Sequence, residues 1–260
     1  NVRGIVVLSG GISSHLSILS RSFNIPLLIA HEQRLLSLPD HTRAILDCEA
    51  GNLYIDPDAQ IKKTFQDKID LHERKQVHPV LQEKTLTSDG VEIRILANIN
   101  LLCDLKTAKD FKLEGIGLYR TEFPFMISPD FPNEEEQFLI YRRLVQGMPG
   151  REIVFRTLDI GGDKILSYFE QHAKEQNPFL GMRSIRFSLK HPDIFIQQIR
   201  AILRAGSGEA LRIMFPMISS MDEFFEAKNM VHDCVKDLQK EGIDCHSQPL
   251  IGAMLELPSV

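Results

Sequence analysis

Short β-rich apolar runs at 4–8, 26–30, 43–47 and 52–55 alternate with one stretch of helical spacing, 14–23, in which Leu16, Leu19 and Phe23 fall at i, i+3 and i+7. This pattern predicts a small α/β unit, closed by Asp56-Pro57. Beyond it, 61–74 is crowded with charge while Ile61, Phe65 and Ile69 recur every four residues, which predicts a helix with a narrow apolar stripe. A helix connecting two bodies and an ordinary surface helix both fit such a stripe.

After Ser88-Asp89-Gly90 the pattern changes to β-rich runs at 91–99, 115–119, 152–157, 211–217 and 249–257. Helical stretches at 134–144, 184–205 and 221–239 lie between them, and this βαβα rhythm predicts a parallel sheet covered by helices. Each run is apolar through its body and polar near its carboxyl end, at Asn98, Arg120, Arg156 and Glu256, with Met217 the apolar exception. In a (β/α)8 barrel those ends form the face where several strands contribute to the chemistry. Five of the eight strands of such a barrel are visible, so roughly three βα units are expected outside the chain. The chain opens on Asn1 with a strand already in progress, which also suggests a piece of something longer.

Composition narrows the function classes. With 43% hydrophobic and 25% charged positions the 260 residues can bury a real core, and the net charge of −5 gives no reason to expect a nucleic-acid partner. The apolar runs fall far short of the ~20 residues of a membrane-spanning helix, and no export signal opens the chain, so no membrane partner and a cytoplasmic setting are expected. Cys48, Cys103, Cys234 and Cys245 lie far apart without a CxxC pair, which predicts buried free thiols rather than a zinc site or a disulfide framework. Any metal is then oxygen-ligated.

The candidate chemistry starts at Gly10-Gly11-Ile12-Ser13-Ser14-His15, just before the first helical stretch. Backbone N–H groups at a helix start favour an anion, glycine permits its close approach, and a histidine there can carry a phosphoryl group on nitrogen. A Gly-Gly turn, a serine cap and a surface histidine account for the same residues. Arg120 and Arg156 each sit where a strand gives way to a loop, and two guanidinium forks at one barrel mouth suit a small anion bearing phosphate and carboxylate. Local pairs, Arg120 with Glu122 and Arg156 with Asp159, are the competing reading. The turn Asp159-Ile160-Gly161-Gly162-Asp163-Lys164 can add a lysine contact, and Asn177-Pro178-Phe179-Leu180-Gly181-Met182-Arg183 adds another arginine. Glu256 is an oxygen donor of the kind Mg2+ uses, since Mg2+ takes one or two carboxylates plus substrate phosphate oxygens. Gly115 and Gly117 do not form a dinucleotide fingerprint, because the third glycine is missing.

Taken together, GGISSH with Arg21 and Ile25-Pro26, then GIGLYRTEFPFM, FRTLDIGGDK, NPFLGMRSIR, LRIMFPMI and GAMLELPSV, closely resemble enzyme I of the phosphoenolpyruvate-dependent phosphotransferase system, from Val2 to Val260. The YRTEFPFM wording and the PSV ending resemble its nitrogen-related branch more than its sugar branch. Pyruvate phosphate dikinase and phosphoenolpyruvate synthase share the scheme but fit the RTLDIGGDK block less well. The resemblance implies an α/β chain of three parts: the end of a swivelling phosphohistidine domain (1–56), a linker helix (57–88) and the first five or so βα units of a (β/α)8 barrel (89–260). It implies a phosphoenolpyruvate-protein phosphotransferase in which His15 takes the phosphoryl group and passes it to a histidine of an HPr-like carrier protein. Arg120 and Arg156 would hold the substrate phosphate, Arg183 and Lys164 would add to it, and Glu256 would be one Mg2+ ligand. Dimerisation through the complete barrel is also implied. The family's Gly-Gly-Arg-Thr-Ser-His is Gly-Gly-Ile-Ser-Ser-His here, which keeps a hydroxyl and removes a cation. The carrier-docking subdomain is expected before Asn1, while an Asn-Asp metal segment, another arginine and the acid cysteine are expected after Val260; none of the four cysteines matches that acid, so the fragment alone is expected to be inactive. A dikinase-type relative and a non-catalytic phosphoacceptor remain the alternatives.

Overall fold

The computed structural model describes residues 2–9, 16–17, 20, 23, 25–75, 84–128, 130–161 and 182–259, with the backbone alone at 72–75. These fall into two compact units, Asn1–Leu81 and Gln82–Val260. In the first unit β1 (Ile5–Val7) pairs in parallel with β2 (Leu27–Ile29), and β3 (Ala44–Asp47) forms an antiparallel hairpin with β4 (Asn52–Ile55). Asp47 makes that hairpin turn, its Oδ1 accepting the amides of Glu49 and Ala50, each at 3.1 Å. Helix α1 (Ala59–Lys75) follows, and its Phe65 ring packs on Tyr54 of the hairpin, centroids 5.4 Å apart. Phe65 of the narrow stripe read from the sequence thus has a partner inside its own unit, while Ile69 is exposed.

In the second unit five parallel strands lie side by side in chain order: β7 (Ala97–Ile99), β8 (Gly115–Arg120), β9 (Glu152–Arg156), β10 (Leu211–Phe215) and β11 (Leu250–Ala253). Parallel neighbours need crossovers, here supplied by α2 (Asp104–Asp110), α3 (Glu122–Ile127), α4 (Glu134–Gly147), α5 (Ser184–Lys190), α6 (Pro192–Ala205) and α7 (Met221–Lys240). This is part of a TIM-like βα barrel. Ile116, Tyr119, Ile153, Phe155, Ile213 and Phe215 bury one sheet face against Tyr141, Leu144, Ile199, Ile202, Val231 and Leu238 of α4, α6 and α7. At about 1.5–3 kcal/mol for each fully buried large apolar side chain, this layer is the main source of the unit's stability. Around it, Arg200 of α6 ties Glu134 of α4 at 2.6 Å to Glu241 beyond α7 at 2.7 Å.

Three sequence expectations are corrected. The run 91–99 is two strands: β6 (Glu92–Ile93) forms an antiparallel hairpin with β5 (Thr85–Leu86) around Gly90 at φ +86°, and β7 starts only at Ala97. The stretch 184–205 is two helices, broken at His191 because Pro192 has no amide to continue the first and is well suited to start the second. Of the four thiols, Cys48 and Cys103 are exposed, Cys245 is half-buried, and only Cys234 is buried. No helix among the described residues is long and apolar enough to cross a membrane.

Candidate functional site at the strand ends

Arg120 and Arg156 end neighbouring strands and are direct Cα partners in the β8–β9 register. In-register neighbours project to the same face of a sheet, so both side chains leave on one side. Arg156 in turn faces Met214, and Met214 faces Gly252. Asn98 joins this face as the partner of Leu118, two residues before Arg120.

Simple alternation along β8 would not put Arg120 there. Counting by two from buried Ile116 sends residues 118 and 120 towards the helices. The strand, however, carries one extra residue: Ile116 faces Ile153 and Tyr119 faces Phe155, three steps against two. On its other edge Ala97 faces Ile116 while Asn98 faces Leu118, which identifies Gly117 as the bulged residue. The bulge returns Tyr119 to the core and turns Arg120 to the opposite face, where it is exposed. Both glycines of the GIG segment sit at close approaches. A Cβ on Gly115 would lie 2.6 Å from the Glu152 carbonyl oxygen, and one on Gly117 would lie 3.0 Å from Leu96 Cβ.

An ion-pair chain lies beside the strand ends. Arg156 Nη2 donates to Glu122 Oε1 at 2.7 Å, Arg156 Nη1 lies 3.4 Å from Asp159 Oδ2, and Arg183 Nη2 donates to Asp159 Oδ1 at 2.9 Å. Of the two local pairs weighed from the sequence, Arg156–Asp159 forms and Arg120–Glu122 does not, because Glu122 turns to Arg156. Arg120 makes no ion pair among the described residues. The buried Nε of Arg156 and the buried hydroxyl of Thr157 also have no hydrogen-bond partner among them. Three guanidinium groups against two carboxylates leave one positive charge and spare donors, which can receive an anion.

Arg183 is held from behind by a backbone bridge to Gly161. Met217, the apolar exception, contributes its main chain: at φ 55° it occupies the left-handed region, and its amide donates to Glu256 Oε1 at 2.7 Å. Glu256 is exposed, and with Oε1 so engaged its Oε2 has no partner among the described residues. No cluster of three or more His, Cys, Asp or Glu stands ready for a metal among them. Among the described residues Glu256 Oε2 is a hard oxygen without a partner, a donor that fits an ion such as Mg2+, which completes its shell with water and substrate phosphate. His15 with its Gly-Gly segment, and Lys164, lie outside the described residues. A cleft of about 970 Å³ lined by Lys84, Lys109, Lys112 and Arg151 opens near the amino ends of β8 and β9, away from the arginine-bearing ends.

Burial raises the pKa of Glu122 from its ordinary value, against the opposing pull of Arg156. The native state then holds this proton more tightly than the unfolded chain, so the associated stability is present below the unfolded pKa and lost as pH rises through the folded one. Wild type should therefore gain stability relative to Glu122→Gln as the pH is lowered from neutrality. Melting curves that fall in parallel for both proteins would contradict this.

Parallel βα units with a group of arginine side chains at the strand ends are a layout found in barrel enzymes, whose sites lie at that face. The chain belongs to the PEP-utilising enzymes: residues 74–260 match the family described as PEP-utilising enzyme, PEP-binding domain, and residues 1–51 match that described as PEP-utilising enzyme, mobile domain. It is similar to the phosphoenolpyruvate-protein phosphotransferase of Mycoplasma capricolum subsp. capricolum, 42% identical over 260 residues that cover 99% of this chain and 45% of that protein. The proteins of the same name from Staphylococcus epidermidis and Priestia megaterium are 39% and 38% identical over the same shares. The chain thus spans less than half the length of these curated relatives.

Proposed function

We propose that this chain serves phosphoryl transfer from phosphoenolpyruvate to protein, with His15 as the acceptor. The observation that carries the reading is the in-register pair Arg120 and Arg156 on one sheet face, joined to Arg183 through Asp159. A neutral imidazole nitrogen of His15 attacks phosphorus, and the bond from phosphorus to the enol oxygen breaks. The enolate leaves and is protonated on carbon to give pyruvate. The transition state is loose and rich in charge, so the arginines act mainly by positioning and neutralising the phosphoryl oxygens. Arg120 and Arg156 hold the phosphate, with Arg183 and Lys164 as further contacts. Mg2+, held in part by Glu256, supplies charge neutralisation when bound.

The phosphohistidine then discharges to a histidine of an HPr-like carrier, which requires His15 to move between two partners. The YRTEFPFM and PSV wording favours the nitrogen-related branch, and the reading includes a cytoplasmic protein that dimerises through a complete barrel. The test uses the natural full-length polypeptide that carries these residues, with Mg2+ and phosphate-labelled phosphoenolpyruvate. Acid-labile, hydroxylamine-sensitive label that disappears in His15→Gln is the expected result. Label that survives this substitution, or its absence from wild type, overturns the reading.

A further inference from the structure

We propose that Gln198 is a positioning residue that locks together the loops after β8 and β9 and thereby sets the aim of Arg120 and Arg156. The proposal rests on the reading of those arginines as phosphate ligands. Gln198 sits on the buried face of α6 beside Phe195, Ile199 and Ile202, and only 1% of its surface is exposed. A leucine or methionine there would continue the apolar stripe without the desolvation cost of an amide.

Both ends of that amide serve the strand ends. Its Oε1 accepts the Leu158 amide at 2.8 Å, two residues past Arg156. Its Nε2 donates to Thr121 Oγ1 at 3.2 Å, one residue past Arg120. The Thr121 hydroxyl donates in turn to the carbonyl oxygen of Arg156 at 2.9 Å, closing a loop through both arginine-bearing segments. The second Nε2 hydrogen points to Tyr141 OH at 3.4 Å, which donates to Gln137 Oε1 at 3.0 Å, and Gln137 Nε2 donates to the Pro132 carbonyl at 2.8 Å. Gln137, like Thr121, is fully buried. Each side-chain nitrogen and oxygen in this chain of bonds has a hydrogen-bond partner, and a buried polar network tied in this way stiffens the backbone it joins. The backbone fixed here is that from which the two guanidinium groups project, and a misplacement of about 1 Å in such a site can lower rate about a hundredfold.

Gln198→Met keeps the length of the side chain and removes all three bonds. In the full-length polypeptide it should raise KM for phosphoenolpyruvate about tenfold to a hundredfold. Val231→Ala, a core truncation on α7, serves as the control that lowers the melting temperature and leaves KM unchanged. Amide exchange supplies a readout independent of the reaction: the Leu158 N–H should exchange faster in Gln198→Met while the Ile153 and Phe155 amides stay protected. An unchanged Leu158 exchange rate overturns the proposal whatever the substrate is, and so does faster exchange with KM as in wild type. Wild type that neither binds nor turns over phosphoenolpyruvate would instead defeat the functional reading, leaving exchange to decide whether Gln198 ties the two loops.

Discussion

Replacement of Arg156 by alanine is expected to destabilise the second unit by about 3–5 kcal/mol and to abolish measurable phosphoenolpyruvate binding. The stability loss comes less from a missing attraction than from what is left behind. Glu122 and Asp159 have side chains only 13% and 11% exposed, and without the guanidinium Glu122 loses its counter-charge in a poorly solvated place while Asp159 keeps only Arg183. Calorimetric melting should show a midpoint lowered by roughly 10 °C or more. Neutralising one of the two acids in the same chain, as in Arg156→Ala with Glu122→Gln, should restore part of that loss. Arg156→Lys keeps the charge but not the planar fork, so it should melt close to wild type and still bind substrate poorly. A variant Arg156→Ala that melts like wild type would mean that the ion-pair chain is solvated and stores little energy.

Gly161→Ala should have the second largest effect. A Cβ at Gly161 would lie 1.9 Å from Arg183 Cβ and 3.1 Å from its Cα, so the clash is with backbone as well as side chain and no rotamer relieves it. The bridge between the two residues must open, which also strains the bond from the Ser184 amide to the Ile160 carbonyl at 2.9 Å. Overpacking of this kind costs about 1–3 kcal/mol. Arg183 then retreats from Asp159, and loss of a charged hydrogen-bond partner predicts phosphoenolpyruvate affinity about tenfold to a hundredfold weaker. Titration calorimetry measures it, and an affinity equal to wild type would show that Arg183 does not need its bridge.

The sheet was legible because β8 to β11 are apolar runs of strand length with turn residues between them, and because 221–239 repeats its apolar positions cleanly. Where pattern continued across a break it misled. The apolar residues on both sides of Arg94 made β6 and β7 look like one strand, although β6 pairs locally with β5. The helical period likewise runs through His191-Pro192, and only the proline marks the join. Helices α2 and α3 escaped notice because each is under two turns long, too short for a period to emerge.

The site was legible as residue types but not as geometry. That Arg120 and Arg156 share a face depends on the bulge at Gly117, which a period of two cannot reveal. That Arg156 is held by Glu122 depends on a contact across 34 residues. Gln198 left a faint signal, a polar residue in the middle of the apolar stripe of α6, which gains meaning only when its partners are known. Met217 reads as a gap among the polar strand ends because its contribution is an amide, which every residue but proline carries.

The convergence of Arg120 and Arg156 on one phosphate is tested most directly by a double-mutant cycle on phosphoenolpyruvate binding, with Arg120→Lys, Arg156→Lys and the pair in the full-length polypeptide. Two groups on the same phosphate should give a combined loss smaller than the sum of the single losses by about 0.5 kcal/mol or more. Losses that add to within roughly 0.3 kcal/mol would mean that the two arginines act on separate sites.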